Sequence, residues 1–447
     1  MKLSLRNKYG FLAVSVIIAA WLSLAQLMAN RFLLIACLVS FLAFVAWSAL
    51  NDIAIPVLLF FLPWSRLLKL RPGATSFYTI ALLVVLVVYL LAKHRSISSK
   101  HLLIAAFLLA ITVIAKIGVG FSFNNSYILF FAFLLFFPLL STESEEKYDF
   151  YILTVFFSLG IIIAAFSAKQ LVVYPTIAKF VREHSYQGIT RLCGYYGDPN
   201  FYSAHISTAL SGAMIMLLKE KDVIRRMVLA ITSVALIYCG LLSISKSFFV
   251  ILFLLLLLWI AETLFMRGKI TFKIALLFVV LVCGAFILSS TVFVDLIDAV
   301  TERFRNSTTA SDLTTGRTEL WKIYIYAIFG DPWLLFFGKG YTSVLIGEKI
   351  SHNTLIQIVY QFGLCGTPFL IMWEWQLFKK ILGGIRLRYG MLMNVMIIAI
   401  GTLGPWLALD LLFFDEFFLM QFYLLLGIKY IYNKDISEEK ELLGSLT

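Results

Sequence analysis

The sequence predicts an all-α polytopic membrane protein with about 12–14 transmembrane helices, and three observations predict it. Of 447 residues, 61% are apolar and 14% are charged, where an average soluble domain is about half apolar and a quarter charged. The mean hydropathy is +0.93. Apolar runs recur along the whole chain, separated by charged residues; at roughly 20 residues per crossing, about fourteen crossings use about 280 residues, close to the apolar share. A soluble enzyme is excluded, because no core of this length buries so much hydrocarbon.

The elements follow in order. Lys2, Arg6 and Lys8 precede an apolar stretch from Phe11, a pattern shared with signal peptides, but with so many spans behind it the stretch reads as an uncleaved first helix. Apolar runs predict helices near 11–28, 32–50, 53–64, 77–92, 102–118, 124–140 and 150–168, then 201–218, 227–243, 247–266, 271–290, 354–375, 391–409 and 411–431. The run 53–64 ends at Pro63-Trp64 and is short enough to be re-entrant. Two longer polar stretches, 169–200 and 291–352, interrupt the pattern, so residues 1–447 read as one multispanning domain with two large loops. Ile177, Phe180 and Val181 at helical spacing beside Lys179 and Arg182 predict a helix over 171–184 resting on the outer leaflet. Lys116 and Glu374 fall near predicted helix ends, where long side chains snorkel.

Charge sets the orientation. The net charge of +12, from 37 basic and 25 acidic residues, reads first as the cytoplasmic Lys/Arg excess of a multispanning protein, and no nucleic-acid partner is expected. Lys93/Arg95/Lys100, Lys219/Lys221/Arg225/Arg226, Arg267/Lys269 and Lys379/Lys380/Arg386/Arg388 share one side if every run crosses. That side is cytoplasmic by the positive-inside rule, which puts both termini inside and both long loops outside. Arg66, Lys69 and Arg71 disagree, because the same count sends them outward.

Several chemistries are absent from the sequence. The five cysteines (Cys37, Cys193, Cys239, Cys283 and Cys365) are odd in number and form no CxxC pair, so no disulfide framework, metal or redox cofactor is expected. No GxxxxGK[ST] loop and no GxGxxG after a strand appears. A substrate of this protein therefore arrives already activated, and a lipid is the natural bearer.

The polar residues gather in the two outer loops. The first loop ends in Arg191-Leu192-Cys193-Gly194-Tyr195-Tyr196-Gly197-Asp198-Pro199-Asn200, directly before a helix. Asp198 and Pro199 fit an N-cap and a first helical position, while the glycines allow Arg191 to fold over the helix's positive end, where it meets an anion better than another cation. In the second loop, Thr314-Thr315-Gly316-Arg317-Thr318-Glu319-Leu320-Trp321 opens a short helix over 317–329 that Gly330-Asp331-Pro332 stops. Arg317 in its first turn is disfavoured by the helix dipole, so it is either a solvated surface residue or one that holds a phosphate together with the helix end. Gly338-Lys339-Gly340 permits close backbone approach to a ligand. Ser351-His352-Asn353-Thr354 opens the next crossing. There His352 is either part of the cap or a neutral imidazole able to take a proton. Lys246, in Ser243-Ile244-Ser245-Lys246-Ser247, adds a cation at the same side or snorkels. Asp410, Asp415 and Glu416 mark the last outer turn, with Asp410 an alternative base.

Together, Arg191 to Asn200, Gly316-Arg317 to Trp321, Phe337-Gly338-Lys339-Gly340 and His352-Asn353 to Gly366 resemble, in order and spacing, the bacterial O-antigen ligase and polysaccharide polymerase superfamily. The resemblance is specific over 190–370; earlier residues resemble the family only as a set of spans. One departure is Lys246, where such proteins often carry Arg after Ser-x-Ser, replacing a bidentate donor by a point charge. The resemblance implies a GT-C-like membrane glycosyltransferase in the cytoplasmic (inner) membrane of a bacterium, active on its outer face without cofactor. Its donor would be an oligosaccharide on a polyprenyl diphosphate, its neighbours the bilayer and the chain-length regulator and flippase of the same pathway. By that resemblance Arg191 and Arg317 hold the diphosphate and His352 activates or orients the acceptor hydroxyl. Asp198 caps its helix and holds Arg191, and Asn200, Lys246, Gly338, Lys339, Gly340 and Asn353 line the substrate. A polymerase is favoured, with an O-antigen ligase that transfers the glycan to lipid A core as the alternative. A polysaccharide flippase or transporter is the alternative of another class, although charge gathered in outer loops and the lack of an internal repeat argue against it. A non-catalytic scaffold of an envelope assembly machine would leave the arginines and His352 individually dispensable.

Overall fold

The computed structural model describes residues 5–117, 130, 134–136, 138–139, 149–181, 184–186, 189–196, 198–263, 294, 298, 301–302, 304–305, 316–341, 346, 351–386, 388–409 and 415–444. Runs this apolar must satisfy their backbone groups within each segment, which hydrocarbon permits only for helices or closed barrels. The described chain is helical apart from one small hairpin. In order it forms α1 (Leu5–Leu27), α2 (Arg31–Leu50), α3 (Ala54–Phe61), α4 (Phe77–Leu91), α5 (Ser99–Ile117) and α6 (Phe150–Leu171). A single turn, α7 (Pro175–Ala178), precedes the antiparallel strands β1 (His184–Tyr186) and β2 (Ile189–Arg191), which pair His184 with Arg191. Then come α8 (Pro199–Lys219), α9 (Val223–Leu242), α10 (Lys246–Ala261), α11 (Arg317–Gly330), α12 (Pro332–Phe337), α13 (Thr354–Leu382), α14 (Tyr389–Leu403) and α15 (Asp415–Gly444).

Among the described residues, eight helices are long and apolar enough to cross a membrane: α1, α2, α5, α6, α8, α9, α13 and α14. Three more apolar helices are shorter, α3 with its following turn, α4 and α10. The expected span 271–290 lies outside the described residues, as does most of 124–140. The expectation of an all-α multispanning membrane protein therefore holds at that level.

The bundle is built around α8, which packs against α6, α9, α10, α14 and α15. Its spanning window is 94% buried, against 33% for α9, which presents apolar residues such as Ile224, Met227 and Ile231 outward. Small and hydroxyl side chains explain how α8 occupies the centre, since they let backbones approach and bond across helices. Gly401 of α14 lies against Ser207 and Ser211 of α8, and the Thr208 hydroxyl reaches the Gly401 carbonyl at 3.4 Å. Gly212 faces the Tyr423 hydroxyl of α15, which in turn bonds Thr154 of α6 at 2.8 Å. Similarly, Gly160 of α6 rests on the backbone of Phe60 in α3.

Contacts sort the connections into two ends. At one end, Gln26 in the last turn of α1 donates to the carbonyls of Leu67 and Lys69, both at 2.9 Å. Thr176 reaches the Leu27 carbonyl at 3.3 Å, and the Trp64 ring lies 5.1 Å from that of Tyr195. At the opposite end, Asp52 holds Lys93 at 3.0 Å and Arg95 at 3.2 Å, while Lys219 pairs with Asp435 and Arg225 lies over Tyr151. The chain from Asp52 to Trp64 therefore runs from one end toward the other, with every residue of 54–64 buried. Arg66, Lys69 and Arg71 belong to the Arg191 end.

Two expectations are corrected. The helix over 171–184 is the single turn α7, and Ile177, Phe180 and Val181 are buried in the main core rather than turned to a leaflet. Helical spacing identified the right face, but Pro175 starts a helix that does not propagate. Glu374 is not at a helix end: α13 continues to Leu382, and Glu374 bonds Gln421 of α15.

Candidate functional site

The Arg191 end is assembled from two stretches of chain, 191–201 and 240–247, which α8 and α9 separate in sequence. Asp198 caps α8, accepting from the amides of Asn200 at 2.7 Å and Phe201 at 3.4 Å, with Pro199 in the first turn. Upstream, the segment after β2 is tied to the end of α9: the Leu192 amide donates to the Leu242 carbonyl and the Arg191 Nε to the Ser243 carbonyl, both at 2.9 Å. Between α9 and α10 the chain turns through Ile244 with φ +48°, held by the Ser243 hydroxyl on Gly240. Ser245 donates to the Asn200 side chain at 2.9 Å and pairs with Ser247 at the same distance. Arg191, Asp198, Asn200 and the turn that begins α10 at Lys246 thus form one hydrogen-bonded knot. Lys246 itself lies over the Phe304 ring at 5.9 Å.

Beneath the knot, Tyr195 bonds Ser167 of α6 at 2.7 Å, and Tyr196 stacks on His205 of α8 with ring centres 4.5 Å apart. Beside it opens a cavity of about 270 Å³ between the end of α6, Val181, the 191–194 segment and the end of α9. Its lining is mostly hydrocarbon and includes two cations, Arg191 and Lys169.

A second group forms around the first half of α13. Asn353 caps that helix, accepting from Leu355 at 3.0 Å and Ile356 at 3.2 Å, and Ser351 bonds the Asn353 carbonyl. His352, between them, has a left-handed φ of +51°. Thr354 reaches the Leu409 carbonyl at 2.6 Å, just beyond the turn in which Gly404 packs on Ile251 of α10. These contacts tie Thr354, beside the cap, to the turn that packs on α10, the helix that begins at the Arg191 knot.

Arg317 opens α11 as expected. Gly316 precedes it with φ +77° and no side-chain cap, and Glu319 pairs with Lys322 at 3.0 Å on the exposed face. This helix packs on α13 through Tyr324 against Tyr360, with Ile328 and Leu334 completing a small separate core. Asp331 does more than end it: the carboxylate caps a new helix, α12, accepting from the amides of Trp333 and Leu334.

The segment 338–340 has a structural task. Within α13, Gly363 takes φ +60° and breaks the helix. The Tyr360 and Gln361 carbonyls at the break accept from the amides of Lys339 at 2.9 Å and Gly340 at 2.8 Å. A Cβ on Gly338 would collide with the Gln361 carbonyl, and one on Gly363 with that of Phe336. The close backbone approach expected of these glycines is to another backbone, and the amides of 339 and 340 are used there. Asp410 lies outside the described residues, and so do the side chains of Asp415 and Glu416.

Sequence reading passes over two residues at this end. By hydropathy Lys169 is the first residue of a polar loop, whereas it stands in the last turn of α6 at the cavity. His205, 1% exposed, is an ionisable residue inside a span, which is itself a functional signal. Its Nδ1 lies 2.8 Å from the Phe201 carbonyl, and its Nε2 has no hydrogen-bond partner among the described residues.

Set against known proteins, the chain has no match among family models, curated proteins or solved structures.

Proposed function

We propose that the protein is a membrane glycosyltransferase that polymerises polyprenyl-diphosphate-linked oligosaccharide repeats on the outer face of the cytoplasmic membrane, with a GT-C-like architecture. The observation that carries this reading is that Arg191, the capped start of α8 and a hydrocarbon-walled cavity share one end of the bundle. An amphiphile with a multiply charged head is the ligand such a place suits: guanidinium N–H groups for the phosphates, hydrocarbon for the chain.

In the reaction proposed, an acceptor hydroxyl attacks the anomeric carbon of the donor glycan. The bond from that carbon to the diphosphate oxygen breaks, and the electron pair leaves with the prenyl diphosphate. His352 takes the hydroxyl proton, and Arg191 and Arg317 stabilise the departing charge. Preorganised cations facing developing charge outweigh a single general base in most mutational series. An O-antigen ligase would use the same steps with lipid A core as acceptor. The alternatives separate on deletion: single repeats remain if a polymerase is lost, and polymer stranded on the carrier if a ligase is lost.

A transporter reading draws on the broken helix α13, because transporters hold substrates at such breaks. Here the Tyr360 and Gln361 carbonyls at the break already accept from the chain's own amides, which weakens that reading. The test of the proposal is substitution of Arg317 and Arg191 to Ala with protein level monitored. Loss of the glycan ladder is expected, and an unchanged ladder would refute the site.

A further inference from the structure

We propose that the surface around the end of α1 binds the headgroups of anionic phospholipids in the leaflet it meets, with Arg31, Arg66, Arg71 and Lys179 as phosphate ligands and Phe32 and Leu70 against the first acyl carbons. This goes beyond the glycosyltransferase reading and does not rest on it. Three observations carry it.

The first is placement. Gln26 in the last turn of α1 holds the carbonyls of Leu67 and Lys69, and the Leu27 carbonyl accepts from Thr176. Separate stretches of chain therefore meet at the end of one helix, and each brings a cation. Arg31 opens α2 just after the turn from α1, Arg66 and Arg71 flank the residues that Gln26 holds, and Lys179 follows α7. All four are exposed.

The second is that the chain does not neutralise them. The stretches 22–36, 62–78 and 172–181 contain no Asp or Glu. Arg182 and Glu183, next in sequence, carry opposite charges and lie outside the described residues. Among the described residues none of the four cations is ion-paired. The opposite end is built the other way: Asp52 holds Lys93 and Arg95, Asp435 pairs with Lys219, and Glu220 lies 3.6 Å from Arg225. Cations gathered without counter-charges repel one another, and an anion from outside the chain relieves that repulsion.

The third is the hydrocarbon beside the charge, which decides the class of anion. Phe32, next to Arg31, is 87% exposed, and Leu70, next to Arg71, is 42% exposed. Val173 and Tyr174, just before α7, are exposed as well. A hydrated partner, such as an acidic protein segment or an acidic polysaccharide, would leave these side chains in water. A bilayer boundary takes both kinds: long cationic side chains reach the headgroups while apolar and aromatic neighbours enter the acyl region. An anionic surface then favours each Lys or Arg by about fivefold, which a zwitterionic one does not.

The experiment uses the full chain in neutral detergent and a fluorescent short-chain phosphatidylglycerol, read by anisotropy. Wild type is expected to bind it at least about tenfold more tightly than phosphatidylcholine of the same chains. The double variant Arg66→Gln, Arg71→Gln is expected to bind about 25-fold more weakly than wild type, and Arg31→Gln, Lys179→Gln by a similar factor. Lys93→Gln removes a cation that Asp52 already neutralises and should leave binding unchanged. Phe32→Ser keeps the charge and should weaken binding several-fold. Glycerol phosphate and polygalacturonate should each displace the probe poorly. The assignment is overturned if both double variants or Phe32→Ser bind as wild type does, if Lys93→Gln costs as much as a double variant, or if phosphatidylcholine binds as tightly as phosphatidylglycerol. It is overturned equally if glycerol phosphate displaces the probe as well as unlabelled phosphatidylglycerol, which makes this a free-phosphate site, or if polygalacturonate does, which makes it a surface for an acidic polymer.

Discussion

Asp198 and Arg317 are expected to respond differently to removal. Asp198 spends its carboxylate on the amides of Asn200 and Phe201, so Asp198→Ala is expected to destabilise the fold by about 1 kcal/mol and to reduce activity only through protein level. Arg317 opens a helix whose dipole disfavours it, so its removal costs the fold little and the proposed chemistry much. Arg317→Ala is expected to lower glycan transfer by about 10²-fold or more, with thermal unfolding in detergent close to wild type. His352 provides a sharper separation. Its φ of +51° is a conformation that glycine adopts without strain, so in His352→Gly the relief of strain offsets the missing packing of the imidazole ring. Unfolding is expected to shift by less than about 1 kcal/mol, while transfer falls by about 10²- to 10⁴-fold if the imidazole takes the proton. A His352→Gly protein that is stable and fully active would leave His352 a turn residue. The cap at Asp198 was legible because Asp-Pro-Asn before an apolar run has one local meaning. The bond from Arg191 to Ser243 was not, because Ser243 is 52 residues away and only the packing of α9 brings its carbonyl near.

Elements were legible where hydrocarbon alone decides them. The expected 77–92 and 150–168 are observed as Phe77–Leu91 and Phe150–Leu171, since charged or polar residues stop each run. They failed where tertiary partners decide. The run 354–375 extends to Leu382 because Lys379 and Lys380 continue the last turn of α13, a place the helix dipole favours for cations. Its break at Gly363 left no trace in hydropathy, because a helix and a broken helix of the same composition look alike. The Gly338–Gly363 pair now gives a specific expectation. Gly338→Ala and Gly363→Ala each push a methyl into backbone and force a strained φ, so each should destabilise by at least about 1–3 kcal/mol. Because both disturb the same backbone crossing, the double variant should lose less than the sum, as measured by thermal unfolding in the same detergent.

At the scale of the whole molecule, the membrane class was legible from composition alone, and the pairing of ends followed from counting crossings. The one dissenting loop departs from the charge rule and not from the count. Arg66, Lys69 and Arg71 gather at the Arg191 end through the bonds from Gln26 and the packing of Trp64 on Tyr195. In the topology proposed here this end faces outward, where positive charge in a short loop is unusual and would suit a phosphorylated ligand. Single cysteines placed at Arg71 and Gln170 should therefore react with a membrane-impermeant maleimide from the same side of intact cells, and one at Lys221 should not. The measurement that tests the central claim most directly is turnover by purified protein given a short-chain prenyl-diphosphate oligosaccharide. The account predicts longer glycan together with stoichiometric release of prenyl diphosphate, both lost in Arg191→Ala and Arg317→Ala. Folded protein that leaves the lipid-linked sugar intact, or that elongates it equally well without those arginines, would contradict it.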